Sequence, residues 1–423
     1  MKCSSDKIAA HPCFDAEARH THARVHLPVA PACNIQCNYC NRKFDCVNES
    51  RPGVCSSVLK PFQAVDYLKA LDSRLENLSV IGIAGPGDPF ANIEQTMETM
   101  RLARAAFPGK LFCVSTNGLD LVPHIAELAT LGVSHVTITI NAVDPQISAQ
   151  IYKWIRYQKR LYRGVEGAKI LLEQQLKSIP LLKQHGITVK INSIIIPGVN
   201  DAHISEVARV CSELGADIFN CIPLIPTAET AFEDYPEPSP AMIFKTRTLA
   251  SEHLPIMSHC ARCRADAAGL LGQDLSETHA LLKEYSSRLN LETEDRPYVA
   301  VATNEGLLVN LHLGEASRLS IFRKTPKGFK FVEERITPSS GGGENRWYAM
   351  AELLGDCRAL LVSGVGENPK RILNESHVHV IEMTGLIDEG LEGVYMNRVI
   401  RSIAKPDAFK CGSSCKGDAR GCG

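Results

Sequence analysis

A chain of 423 residues is longer than one ordinary domain, and a hydrophobic content of 44% supplies real cores, so one large and one smaller domain are expected. With 46 basic and 47 acidic residues the net charge is −1, which argues against nucleic acid or a membrane surface as partner. The polar start, MKCSSDKIAAHPCFDAEARH, has no apolar leader core, and no run approaches the length of a bilayer span, so a cytoplasmic protein is expected.

Residues 1–22 read as an N-terminal arm. From 23 to 226 short β-like runs alternate with helical ones. The strand candidates are 23–30, 79–87, 110–118, 135–143, 188–198 and 217–226; helical patterns cover 61–75, 91–107 and 201–214. Such alternation predicts βα units around a parallel sheet. Six units in series, with strands ending in Gly, Pro, Asn or Asp, predict an α/β fold built on a partial (β/α)6, TIM-like barrel, whose chemistry gathers at the C-terminal strand ends. The stretch 148–169 is longer and more basic than a barrel helix needs and reads as a lid or insert. After a Pro- and acid-rich break at 227–240, a loop with a CxxC closes this region at 274. Residues 275–295 read as a polar, helical linker. Residues 296–400 alternate strands and helices as a separate small α/β domain, and 401–423 form a Cys/Gly-rich tail.

Sixteen cysteines are many for a reducing compartment, where structural disulfides are rare, and point to metal ligation or redox chemistry. Cys211, Cys221 and Cys357 lie on apolar segments and read as small buried hydrophobes. Cys33, Cys37 and Cys40, in CNIQCNYC, follow the first strand with C-x3-C-x2-C spacing and an aromatic, Tyr39, before the last thiol. Three thiolates from one loop can hold three irons of a [4Fe-4S] cube and leave the fourth open to a small molecule. This segment resembles the radical S-adenosylmethionine (SAM) superfamily, in which the open iron chelates the methionine moiety and one electron releases a 5′-deoxyadenosyl radical. Gly85, Pro86, Gly87 and Asp88 then fall where that superfamily carries its amino-group-binding turn, with Asp88 in the acidic place. Ser115 and Asn117 end the third strand and Asn141 the fourth, as short polar groups suited to carboxylate or ribose contacts. Individually, each also reads as a turn or cap residue.

A further set of donors is scattered: Cys13 in the arm, His26 on the first strand, Cys46 after the cluster loop, Cys113 in the third strand, and the CxxC pair Cys260 and Cys263. By spacing alone, Cys13, His26 and Cys113 read more readily as core residues than as ligands. The CxxC does not separate zinc, iron–sulfur or redox use. The run CNIQCNYCNRKFDCVNESRPGV, with HPCFD, VHLPVAPAC, FCVSTNGL, HCARCRADAAGLLGQD and CGSSCKGDARGCG, closely resembles the NifB family of nitrogenase cofactor biosynthesis proteins along the whole chain.

That resemblance implies a radical SAM enzyme that fuses two further [4Fe-4S] clusters, with a SAM-derived carbon and an added sulfur, into an [8Fe-9S-C] precursor of the nitrogenase cofactor. It gives Cys33, Cys37 and Cys40 to the SAM cluster. Cys13, His26 and Cys113 match the ligands of one substrate cluster, and Cys46, Cys260 and Cys263 those of the other. Imidazole is the weaker iron ligand, which suits a cluster that must be released. Glu49 and Arg51 are candidates for proton removal and charge balance, or form only a loop salt bridge; Cys113 joins them among the catalytic candidates. The implied partners are SAM, an Fe-S cluster donor, carrier or scaffold proteins of nitrogenase assembly and an electron donor.

Residues 296–400 resemble NifX/NafY-type domains, implying a ribonuclease H-like fold that binds the product. There His312, His377 and His379 read mainly as surface or strand histidines. Cys411, Cys415 and Cys422 of the tail either touch clusters or do nothing, and Cys55 has no implied role. Another radical SAM enzyme with auxiliary clusters, or a non-enzymatic iron–sulfur scaffold, are the alternatives.

Overall fold

The computed structural model of the chain describes residues 10–48, 54–55, 57–274, 277–288, 296–396 and 400. Glu49, Arg51 and the tail cysteines Cys411, Cys415 and Cys422 lie outside these residues. The chain divides into two compact units, residues 1–286 and 287–423.

The first unit is an open parallel barrel. Its strands β1 (Ala23–His26), β3 (Leu78–Ile83), β4 (Leu111–Thr116), β5 (Val133–Thr139), β8 (Thr188–Ile195) and β9 (Ile218–Pro223) lie side by side in that order, all parallel. Every residue of β5 and β8 is buried, as expected for strands covered on both faces. Helices α1 (Pro61–Asp72), α2 (Ile93–Ala106), α3 (Ile125–Thr130), α5 (Gly164–Gln184) and α6 (Ile204–Glu213) form the crossovers. Behind the sheet, residues such as Val25, Ile81, Phe112, Val136 and Val189 join one large apolar core. Alternate residues of the same strands face the inside of the barrel.

Two additions complete the unit. Strand β10 (Ala268–Leu270), backed by β11 (Gln273–Asp274), pairs antiparallel with β1 and so occupies its open edge. This carries the CxxC loop back to the end of strand one. Within the basic stretch expected as a lid or insert lies a hairpin, β6 (Tyr152–Tyr157) and β7 (Arg160–Tyr162), set between β5 and β8. It pairs with β2 (Ile35–Cys37) inside the cysteine loop. Residues 277–286 form a helix whose Leu281 and Leu282 belong to the main core.

In the second unit β12 (Tyr298–Val301), β14 (Arg318–Thr325), β15 (Gly328–Ile336), β16 (Cys357–Val362) and β17 (His379–Glu382) form a mixed sheet in the order β15-β14-β12-β16-β17. The first three are antiparallel and the last two parallel to β12, which is the ribonuclease H-like arrangement. Trp347, on a helix over Glu344–Leu353, is wholly buried in the core on one face. His379 lies exposed on edge strand β17, His377 is exposed before it, and His312 Nδ1 accepts from the Gly314 N–H. Among the described residues no helix is long and apolar enough to cross a membrane.

Candidate functional site

The cysteine loop is held by backbone pairing and by one of its own side chains. Ile35, Gln36 and Cys37 pair with Ile155, Trp154 and Tyr152 of the hairpin. The Gln36 amide donates to the Cys40 and Cys37 carbonyls at 2.6 and 3.1 Å. Below it, the buried Tyr39 hydroxyl donates to Asn48 Oδ1 at 2.6 Å and accepts from Asn141 Nδ2 at 2.7 Å. Asn141 also donates to Tyr152 and accepts from the Ile194 N–H. Tyr39 and Asn141 are therefore bonded to each other beneath the loop, and neither is among the lining residues of the two cavities described below.

The turn after β3 is zipped onto the entry to this loop. Gly87 N–H donates to Ala30 O at 2.6 Å and Asp88 N–H to Ala32 O at 2.8 Å. A Cβ on Gly87 would lie 2.0 Å from Ala32 O, so only glycine fits this approach. Asp88 accepts from the N–H groups of Phe90 (2.9 Å) and Asn117 (2.7 Å) and from the Thr116 hydroxyl (2.9 Å). Burial raises its carboxyl above the ordinary range despite those donors. Its role within the fold is to tie the tip of β4 to the turn.

Cys33, Cys37, Cys40 and Cys46 line one cavity with Gly87, Asp88, Ser115 and Asn117; Gly85 and Pro86 stand outside its lining. Asn117 Nδ2 contacts Cys33 Sγ at 3.9 Å. Burial pushes the Cys33 thiol up to about 12 and raises Cys37 and Cys46 well above the usual thiol range. For Cys37 and Cys46, the neighbouring thiols of the loop add to the effect. Gathered buried thiols of this kind want a cation, and ligation deprotonates them outright.

A second cavity opens deeper in the barrel. It is lined by Cys13, His26, Cys113, Cys260 and Cys263, together with Lys190. Strand register explains how residues so far apart in sequence meet. His26 pairs with Gly82, Gly82 with Cys113, and Cys113 with His135, giving one row across four strands. The next inward row is Ser115, Thr137 and Lys190, and the next Thr139, Asn192 and Asn220. Gly82 leaves the space: a Cβ there would lie 2.9 Å from Cys113 Sγ and 3.7 Å from His26 Nε2. His26 Nδ1 lies 3.1 Å from the Arg264 carbonyl, which can only accept. A proton is thus on Nδ1, which in the neutral ring leaves the lone pair on Nε2, the usual arrangement of a ligating histidine. Cys263 Sγ accepts from the buried Arg24 guanidinium at 2.9 Å, whose other arm donates to Gly269 O at 2.7 Å. Burial pushes the Cys13 thiol up to about 11, opposed by Lys190 and Arg24 and reinforced by Cys263 and Cys260.

The two cavities share Ser115, whose buried hydroxyl has no hydrogen-bond partner among the described residues. Also among the described residues, no three His, Cys, Asp or Glu side chains converge on a single metal ion. Thiolates that bind different corners of an iron–sulfur cube stand further apart than ligands of one ion.

Several lining residues drew no role from the sequence: Arg42, Asn48 and Thr139 in the loop cavity, His11, Phe14, Lys190, Asn192 and Asn220 in the deep one. Lys190 and Asn192 carried a signal, a lysine and an asparagine two apart in a strand whose every residue is buried. Cys55 lies apart from both cavities, its N–H donating to Asp45 at 3.0 Å.

The radical SAM superfamily pattern matches residues 27–211, and that of the dinitrogenase iron-molybdenum cofactor family matches residues 296–397. The chain is 51% identical to the FeMo cofactor biosynthesis protein NifB of Chlorobaculum tepidum, over 98% of this chain and 99% of that one. It is 41% identical to the protein of the same name from Klebsiella pneumoniae, over 88% of this chain and 87% of that one. Through likeness of this extent, along both units, the chain belongs to the NifB family of radical SAM proteins.

Proposed function

We propose that this protein acts in FeMo cofactor biosynthesis by fusing two [4Fe-4S] clusters, with a SAM-derived carbon and an added sulfur, into an [8Fe-9S-C] precursor. The observation that carries this reading is the junction of the two cavities at Ser115. The three loop cysteines stand on one side, and Cys13, His26 and Cys113 with Cys260 and Cys263 on the other.

Cys33, Cys37 and Cys40 would hold the resident cluster, which when bound supplies the electron that cleaves SAM. The chain's own part at that site is orientation. Gln36 and the β2–β6 pairing fix the loop, Tyr39 and Asn141 brace it from below, and Asn117 contacts Cys33. Ser115, Asn117 and the Gly87–Asp88 turn border the space in which SAM's amino acid and ribose would lie. Asp88, spent on Phe90, Thr116 and Asn117, would act on SAM chiefly by fixing the turn.

The other clusters are substrates. Cys13, His26 and Cys113 would hold one. Cys46, Cys260 and Cys263 would hold the second, their ligands drawn from both cavities. His26, with its Nε2 lone pair set by the Arg264 carbonyl, gives the first substrate cluster a weaker bond to break on release. Methyl transfer to a sulfide of a bound cluster, then hydrogen removal from that methyl, would place the carbon between them. Glu49 is proposed as the base and Arg51 as its charge partner. Residues 296–400 would receive the product, for carrier proteins of nitrogenase assembly.

Anaerobic reconstitution tests this. About twelve irons per chain, three cubes' worth, are expected. Reduction with SAM should yield 5′-deoxyadenosine and a product that activates cofactor-free nitrogenase. Four irons, or no 5′-deoxyadenosine, would sink the proposal.

A further inference from the structure

One buried group facing the deep cavity is used by nothing described so far. His11, in the N-terminal arm, is 2% exposed and lines the cavity beside Cys13, His26 and Cys113. The Cys13 backbone N–H donates to His11 Nδ1 at 3.1 Å. A backbone N–H only donates, so Nδ1 is the bare nitrogen and the ring is neutral, with its proton on Nε2. That Nε2 is buried and has no hydrogen-bond partner among the described residues.

The ring is not loose. It packs edge-on to Phe14, centroids 4.7 Å apart, and against His135 at 4.5 Å. The His11 carbonyl accepts from the N–H groups of Phe14 and Asp15 at 2.9 and 3.0 Å, closing a turn that fixes the ring's direction. A fixed, buried N–H without an acceptor is a destabilising arrangement that native structures rarely keep without a reason. His26 is its mirror image. There a carbonyl takes the Nδ1 proton, so that a neutral ring has its lone pair on Nε2; in His11 an N–H fills Nδ1 and leaves Nε2 as a donor. Two imidazoles on one cavity thus carry opposite tautomers, one fit to ligate and one fit to donate.

We propose that His11 Nε2–H donates a hydrogen bond to a sulfur of the cluster held by Cys13, His26 and Cys113, as a positioning residue and not a ligand. The inference rests on the reading that those three residues hold a cluster. The walls also carry oxygen acceptors, at Ser115, Thr137, Asn192 and Asn220, yet none of them takes the His11 proton; cluster sulfide is the acceptor that an occupied site adds. An N–H dipole aimed at cluster sulfur favours the reduced, more negative state and raises the reduction potential.

The test is an EPR-monitored redox titration of the reconstituted full-length protein, with iron analysis. The signal followed is the one lost in Cys113→Ala. His11→Phe, which removes the donor and keeps an aromatic ring, should retain that signal with its midpoint shifted to lower potential. His11→Gln, which restores an N–H, should return the midpoint toward wild type, and loss of iron in the Phe variant alone would support the same role. An unchanged midpoint in His11→Phe overturns the inference. So does loss of the cluster's iron in both variants, which would make His11 a ligand. If Cys113→Ala loses no signal and no iron, it is the cluster reading itself that fails.

Discussion

In the loop cavity, Cys33, Cys37 and Cys40 come from eight consecutive residues; in the deep cavity, Cys13, His26, Cys113 and the Cys260–Cys263 pair come from four separate segments. The loop needs little from the fold except a hairpin to pair with and a base of buried hydrogen bonds. The deep cavity needs the whole barrel, because its ligands meet only through strand register and through β10 occupying the edge of β1. A local motif resists sequence change elsewhere. A site assembled across strands is exposed to any change that shifts one of them.

That difference can be broken selectively. Gly82→Val sets a side chain where even a Cβ would lie 2.9 Å from Cys113 Sγ. Cys113 or His26 must then move. Most of the iron bound at the deep cavity should be lost while 5′-deoxyadenosine formation persists. Iron and sulfide analysis beside a SAM-cleavage assay checks this; equal loss of both would mean that the cavities are not separable. A smaller effect is expected on the loop side. Asn141→Leu strips partners from the buried Tyr39 and Tyr152 hydroxyls and from the Ile194 N–H. Unfolding stability should fall by about 2–4 kcal/mol, given the cost of buried groups left unpaired. Denaturant melts would measure it, and an unchanged midpoint would show that the network does not brace the loop.

The same contrast governs what could be read from sequence. The six parallel strands and the three-cysteine loop were legible because each is signalled within a dozen residues. The cavity partners of Cys113 were not, since which residue faces it depends on a register fixed between Gly82 and His135. The resemblance to a known family supplied the scattered ligands; spacing alone left them as core residues. The strands within the stretch 148–169 were not legible, because burial over 152–157 repeats every third residue, with Tyr152 and Ile155 buried and Lys153 and Arg156 exposed, rather than alternating. His11 stood in a motif, HPCFD, in which only the cysteine drew notice. Its donor role depends on a backbone bond that no pattern of residue types reveals. Glu49 and Arg51 fall outside the described residues.

The central claim is that Cys33, Cys37 and Cys40 initiate, while the ligands of the deep cavity, joined by Cys46, hold substrate. The most direct measurement compares Cys37→Ala with Cys113→Ala after identical anaerobic reconstitution, counting iron and 5′-deoxyadenosine in each. The account predicts that Cys37→Ala makes no 5′-deoxyadenosine yet keeps the iron of the deep cavity. Cys113→Ala should lose about four irons, one cube, and still cleave SAM. If Cys113→Ala keeps all its iron, or if both variants fail in the same way, the division of labour between the cavities is wrong.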